Sequence, residues 1–254
     1  MSGAGNRFLV ADARSDNTPW TPDHVRNVIA ENPRRDNDPI EGLLLLRSCS
    51  IDSVIADFYN PDGSHGMMCG NGARCIAKFA CDQGQEQCKD IKLTINGMLF
   101  HCSVVNEESV CITFPPPSAI RHYPVGTLEG ITVDTWYVNV GTDHVVIGSP
   151  LDAERPDVVR LRHHTAFLRG TNVNMVDQQT PVHIATFERG VESVTGACGT
   201  GALSCAVVAW TNNPATVDYT FVPPSGRTLT VHLEVVNTEI VGMTLTGDAR
   251  YDNI

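Results

Sequence analysis

Lysine is scarce: Lys78, Lys89 and Lys92 are the only three in 254 residues. With a formal charge of -11 and a pI near 5.2, the chain lacks the clustered cations that hold a phosphate backbone. Neither nucleic acid nor an anionic membrane is expected as a partner. A pyridoxal phosphate racemase needs a Schiff-base lysine, and these three lie between 78 and 92 in no recognisable setting. No run approaches the roughly 20 apolar residues of a membrane span, and "MSGAGNRFLVADARSDN" has no basic stretch leading into an apolar one. The expectation is a cytoplasmic protein with no membrane partner. There is no C-x2-C pair, and the intervals of five and six residues after Cys69, Cys75 and Cys81 do not suit zinc, so no metal is expected. Nine cysteines is many, but the number is odd and nothing signals secretion, so most thiols should be reduced.

What is present is enough to bury a core. The chain is 42% hydrophobic, and its length falls between the usual expectations for one domain and two. Strand-like segments come first: "RFLVAD", "GLLLLR" and "SVIADFYN", with a helix "TPDHVRNVIAEN" after the first, capped by Thr21 with Pro22 at its first position. From Gly72 the spacing predicts a helix with Ile76, Phe79 and Ala80 on one face and Gly84 as C-cap. Strands "DIKLTING", "MLFHCSVV" and "SVCITF" follow, and the prolines at 115–117 suggest a boundary. The second half offers strands in "ITVDTWYVNV", "TNVNMVD" and "VHIATFE", and helices in "DAERPDVVRLRHH" and "GTGALSCAVVAWT". Three more strands, "ATVDYTFV", "TLTVHLEVV" and "IVGMTLTG", close the chain.

The halves echo each other. Each has strands, then Cys-Gly-x-Gly-Ala, then an apolar helix, at Cys69 and again at Cys198, about half the chain later. An internal duplication predicts two similarly folded domains, with the two glycine motifs meeting at their interface. A helix start presents unpaired N–H groups and partial positive charge, which attract a carboxylate and favour a thiolate, while glycine lets the backbone approach a ligand. Two such motifs around one carboxylate would leave a thiol on either side of its α-carbon, an arrangement suited to stereoinversion. Backbone N–H groups would stabilise the carbanion. Cys75, Cys81 and Cys205 fall in helical runs and are expected to pack, while Cys49, Cys102 and Cys111 lie in or near strands.

These residues resemble the diaminopimelate epimerase family, cofactor-independent enzymes of lysine and cell-wall precursor synthesis. The resemblance runs through "GAGNRFLVAD", "FYNPDGSHGMMCGNGARC", "VGTDHVV", "RGTNVNMV", "FERGVESVTGACGTGA" and "MTLTGDARY". It implies an α/β (α+β) fold of two pseudo-symmetric domains, residues 1–116 and 117–243, each a curved, mainly antiparallel sheet wrapped around a central helix. The last strand, about 244–254, would return to the first domain, and the active site would lie between the two. By the same resemblance Cys69 and Cys198 are the catalytic cysteines, and His144 and Glu188 assist them, since a thiol needs a nearby base to be a thiolate at neutral pH. Asn6, Asn60, Asn172 and Arg189 match substrate-binding positions. Arg189 would grip the distal carboxylate, Glu188 would help to hold its amino group, and Gly70, Asn71, Gly199 and Thr200 would hold the carboxylate at the reacting centre. A small-molecule amino-acid substrate, no cofactor and a homodimer are the implied partners.

Three departures bear on the substrate. The family commonly has Asn-Pro-His where this chain has Thr142-Asp143-His144; "NDPIEG" (Asn37 to Gly42) replaces a glycine-rich loop; and Val194 stands where an acidic residue is usual. The leading expectation is conversion of LL-diaminopimelate to the meso form. The alternatives are racemisation of another amino acid, such as histidine, on the same scaffold, and a non-catalytic protein that holds an amino acid or other anion at its helix ends.

Overall fold

The computed structural model describes residues 1–252 except 17, 33–38, 51, 67–68, 84–89, 149 and 178. The chain divides into two compact units, Met1–Thr113 with Thr246–Ile254, and Phe114–Leu245.

In the first unit β1 (Ser2–Gly3) pairs antiparallel with β2 (Asn6–Asp12), and α1 (Pro22–Glu31) carries the chain to β3 (Ile40–Cys49), parallel to β2. Thr21 caps α1, its hydroxyl accepting from the His24 N–H (3.3 Å), and Pro22 fills the first position, where a missing N–H costs nothing. Next, β4 (Ser53–Tyr59) pairs antiparallel with β3, and α2 (Gly70–Asp82) leads to β5 (Ile91–Ile95), parallel to β4. The antiparallel strands β6 (Met98–Val104) and β7 (Ser109–Phe114) complete the run. The unbroken "LLLL" of β3 is explained by burial on both faces. Leu43 and Leu45 pack with Val25 of α1, while Leu44 lies under Gly72 of α2. Ten of the thirteen residues of α2 are buried, so it is a central helix rather than one with a single apolar face. It begins two residues earlier than the apolar spacing predicts and ends on Gln83 as C-cap; Gly84 lies outside the described residues.

The second unit opens with β8 (Ala119–Tyr123), antiparallel to β9 (Thr135–Asn139), which is antiparallel to β10 (Asp143–Gly148). Helix α3 (Pro156–Arg162) leads to β11 (Asn172–Asp177), parallel to β10. Next β12 (Val182–Glu188) pairs antiparallel with β11, and the short β13 (Ser193–Val194) turns back on it. Then α4 (Gly199–Asn212) leads to β14 (Asp218–Val222), parallel to β12, and β15 (Leu229–Val236) pairs antiparallel with β14. The "DAER" ahead of Pro156 is not helical, because the residue before proline is pushed out of the α region; Arg155 has φ -58° and ψ 131°. The core of this unit gathers Val145, Ile147, Leu161, Val173 and Met175.

The two units share one path. In each, an antiparallel pair is followed by a helix-linked parallel partner, an antiparallel strand, a second parallel partner reached through a buried helix, and a last antiparallel strand. Thus β2, β3, β4, α2 and β5 correspond to β10, β11, β12, α4 and β14. The final strand, β16 (Glu239–Asp248), passes from the second unit to the first at Thr246. There the Ala249 N–H donates to the Glu108 carbonyl (2.7 Å), and Ser2 and Arg250 exchange both backbone bonds (2.8 Å each). No helix among the described residues is long and apolar enough to cross a membrane.

Candidate active site

Cys69 and Cys198 occupy the same place in the two units: each is the N-cap of the buried helix, with extended backbone (φ -126°, ψ 105° and φ -120°, ψ 112°). Each carbonyl accepts the first helical bond, from Ala73 (2.9 Å) and Ala202 (3.0 Å). A helix start there aims its unpaired N–H groups past the sulfur.

In the first unit the Gly72 N–H donates to the Cys69 sulfur (3.4 Å). Gly70 opens the helix with free space where a Cβ would stand. Asn71 is buried, its Oδ1 accepting from Nη2 of Arg74 (2.6 Å). Arg74, fully buried, also donates from Nε to the Asp248 carbonyl (3.2 Å). Burial pushes its pKa below the ordinary value, against the opposing pull of Cys75, Asp248 and Cys69. Asn6 starts β2. Asn60 follows β4, and its side chain donates to the Ser64 hydroxyl (2.9 Å), a role within its own turn.

The second unit brings His144, Asn172, Arg189, Cys198, Gly199 and Thr200 into one connected group. His144 lies inside β10, completely buried, and burial pushes its pKa down to about 4, so the ring is neutral at pH 7. Its Nε2 faces the hydroxyls of Thr142 (2.9 Å) and Thr200 (3.0 Å), and the Thr200 hydroxyl lies 3.5 Å from the Cys198 sulfur. Asn172 donates to the Asp143 carbonyl (3.0 Å) and accepts the Arg189 N–H (2.9 Å), fixing the backbone that presents Arg189. The Arg189 guanidinium donates to the carbonyls of Arg169 (2.9 Å) and Gly170 (3.4 Å) and stands 3.8 Å from the Asp143 carboxylate. Burial raises the Asp143 carboxyl, but hydrogen bonds from Tyr137 and Asn139 and the charges of Arg169 and Arg189 outweigh it and hold the group below its ordinary pKa. Glu188 ends β12 beside Arg189, and burial raises its pKa, with Thr195 offsetting part of the effect. A carboxyl so raised is suited to proton transfer.

The other cysteines have a different character. Burial pushes Cys75 and Cys102 up to about 12 and raises Cys205 as well, so these remain unreactive thiols. Among the described residues Cys81 is disulfide-bonded, which corrects its reading as a packing thiol. Among the described residues no group of three His, Cys, Asp or Glu is placed to hold a metal ion.

Three contributors escape the sequence reading. Asp143 is the charge partner of Arg189. Asn174 and Thr186 are fully or nearly fully buried behind His144, where Asn174 donates to Nδ1 (3.1 Å) and Thr186 donates to Asn174 (2.8 Å). The available signal is the spacing of Asn172 and Asn174, two polar residues on one face of a strand that is apolar between them and its closing Asp177. Val194 sits in β13, opposite Phe187; of the departing loop, Asn37 and Asp38 lie outside the described residues.

A family model described as diaminopimelate epimerase matches residues 136–251. The diaminopimelate epimerase of Chlorobaculum tepidum is 34% identical over 262 aligned residues, covering 98% of this chain and 96% of that protein. That of Aquifex aeolicus is also 34% identical, over 83% of this chain and 80% of its own. Among solved structures, a phenazine biosynthesis protein of the PhzF family from Bacillus anthracis matches with a TM-score of 0.72 at 12% identity, covering 98% of this chain and 93% of its own, and so shares the fold.

Proposed function

This chain belongs to the diaminopimelate epimerase family of amino-acid epimerases, and from that premise we propose that it converts LL-2,6-diaminopimelate to the meso isomer, in lysine and peptidoglycan precursor synthesis. The observation that carries the reading is the placement of Cys69 and Cys198 as N-caps of corresponding helices in two units of one topology. One thiolate takes the α-proton and becomes a thiol, while the second thiol returns its proton to the opposite face and becomes a thiolate. The exchange balances without redox chemistry or a cofactor. Helix-start N–H groups at Gly70, Asn71, Gly199 and Thr200 hold the carboxylate and bear the carbanion's charge, which a preorganised low-dielectric site does better than water. His144 and Glu188 assist the thiols. Asn6, Asn60 and Asn172 position the substrate, and Arg189 takes the distal carboxylate in a bidentate grip. The test is incubation of reduced protein with LL-diaminopimelate in D2O, following α-proton loss by NMR and stereochemistry by chiral chromatography. Exchange with formation of the meso isomer supports the reading, and absence of both refutes it.

Asp143 favours a second reading. It already supplies a carboxylate to Arg189, so a substrate with no distal carboxylate would leave no unpaired cation. The same exchange assay across other amino acids, histidine included, separates the two: turnover of a monocarboxylate with diaminopimelate inert selects the second.

A further inference from the structure

We infer that Thr186, Asn174, His144 and Thr200 form a hydrogen-bond chain of one direction that delivers a donor to the Cys198 sulfur, with Asn174 and Thr186 as positioning residues that fix the His144 tautomer. It rests on the reading of Cys198 as a working thiol.

The direction follows from groups that have no choice. Nδ2 of Asn174 lies 2.8 Å from the Val145 carbonyl, which can only accept, so that atom is the amide nitrogen and not the oxygen. Its second hydrogen points to Nδ1 of His144 (3.1 Å), which must therefore be the unprotonated nitrogen. The Asn174 oxygen is held in turn by the Thr186 hydroxyl (2.8 Å), which locks the amide against turning over. A neutral imidazole with a bare Nδ1 carries its proton on Nε2. That proton meets the hydroxyl oxygens of Thr142 (2.9 Å) and Thr200 (3.0 Å), both able to accept. The Asn172 amide also approaches Nε2: one of its hydrogens goes to the Asp143 carbonyl (3.0 Å), and the other competes for the ring only at 3.5 Å, against 3.1 Å for the Asn174 amide at Nδ1. Having accepted from His144, Thr200 turns its own O–H toward the Cys198 sulfur, 3.5 Å away. Asp143 and Arg189 are the charged groups acting on the ring, and neither displaces the Asn174 amide that blocks Nδ1.

The consequence is a change in what His144 contributes. With Nε2 protonated it cannot take a proton from a thiol. It donates, and through Thr200 it stabilises a thiolate at Cys198. The helix above is built for this network: a Cβ on Gly201 would stand 2.5 Å from the Asn174 oxygen and 2.6 Å from the Thr186 hydroxyl.

The direct test is NMR of protein labelled with 15N in the imidazole rings, at pH 7 and without substrate, with the His144 signals assigned by their loss in His144→Gln. The expected signature is an unprotonated, pyridine-like Nδ1 and a protonated Nε2; a proton on Nδ1 of the unsubstituted protein overturns the proposal. In Asn174→Asp the new carboxylate can only accept, so Nδ1 should become protonated, a shift that a purely structural asparagine would not produce. The far end is read by mass spectrometry of Cys198 carboxymethylation. Thr200→Val should slow it about tenfold, the weight of one hydrogen bond to a charged acceptor, and Thr200→Ser should restore it. An unchanged rate in Thr200→Val overturns the chain. All three readouts dispense with turnover, so an intact chain in a protein that fails to epimerise diaminopimelate would refute the proposed substrate and leave this inference standing.

Discussion

Gly72 and Gly201 stand at corresponding positions, three residues after each N-cap cysteine, and replacing each by alanine should move stability in opposite directions. A Cβ on Gly72 meets Phe8 at 3.5 Å, Leu44 at 3.6 Å and Cys69 at 3.7 Å, all ordinary contacts. The substitution adds a well-packed methyl and removes glycine's conformational cost in a helix, up to about 1 kcal/mol. A Cβ on Gly201 meets the Asn174 oxygen at 2.5 Å and the Thr186 hydroxyl at 2.6 Å, about 1 Å too close, and these two atoms are bonded to each other inside the core. Relief requires overpacking strain of about 1–3 kcal/mol, or loss of a buried hydrogen bond at about 1–3 kcal/mol. Against the same helix gain, Gly201→Ala should lose about 1 kcal/mol net, and up to about 2 kcal/mol at the upper end of that range. Urea unfolding followed by circular dichroism would show the Gly72→Ala midpoint at or above that of the unsubstituted protein and the Gly201→Ala midpoint well below it. Equal shifts of the same sign would refute the claim that the two helices rest on different floors.

Three further outcomes follow from the site. Cys69→Ala and Cys198→Ala should each abolish epimerisation while leaving far-UV circular dichroism unchanged; activity above a hundredth of normal in either would exclude a two-thiol reaction. His144 is held at about 4 in the folded protein against an ordinary 6.5, so the unfolded chain takes up the proton first. Its contribution is present above pH 6.5 and is lost as pH falls through that value toward 4, up to about 3 kcal/mol, so His144→Asn should flatten the loss of stability over that window; an unaltered slope refutes the assignment. Arg74→Ala should destabilise by about 3 kcal/mol or more, since it empties the space of a fully buried side chain and strips Asn71 and the Asp248 carbonyl of a donor. A midpoint within experimental error of the original would show that Arg74 is dispensable to the first unit.

The elements most legible in the sequence are those where local chemistry and packing agree. Thr21 and Pro22 mark the start of α1 as their capping chemistry requires, and the alternation in "VHIATFE" marks β12. The start of α2 is less legible because Gly70 and Gly72 have poor helix propensity; the helix forms there anyway because its whole circumference is buried and a cysteine caps it. His144 cannot be placed from its neighbours, since one histidine before "VV" reads equally as a loop end; its burial depends on β9 and β11, which flank it in the sheet. Asn174 and Thr186 are hidden for a related reason. Polar residues alternating along a strand usually mark a solvated face, and only a helix seated over that face turns them into an interior network. Asp143 escapes notice because its partners, Tyr137, Asn139, Arg169 and Arg189, come from three separate segments.

The duplication preserves backbone more faithfully than it preserves surroundings. Leu44 pairs with Phe58 across β3 and β4, and Asn174 pairs with Thr186 across β11 and β12, so the two pairs hold the same place in the repeat. In the first unit this place is apolar: the Phe8 ring packs edge-on to Phe58 at 6.1 Å, and Leu44 and Phe8 floor the helix start. In the second it is a polar network that ends on the cysteine. A helix start comes with the fold and is common to both thiols, but at Cys69 the backbone itself supplies the donor, the Gly72 N–H, whereas no helix N–H among the described residues caps the Cys198 sulfur and the Thr200 hydroxyl stands beside it instead. An apolar floor asks nothing of the residues around it, so it tolerates a methyl; a polar one holds only if every member keeps its partner. The two thiols therefore sit in settings of unequal polarity although their backbones are alike, and a reaction that uses both need not run through equivalent steps at its two ends.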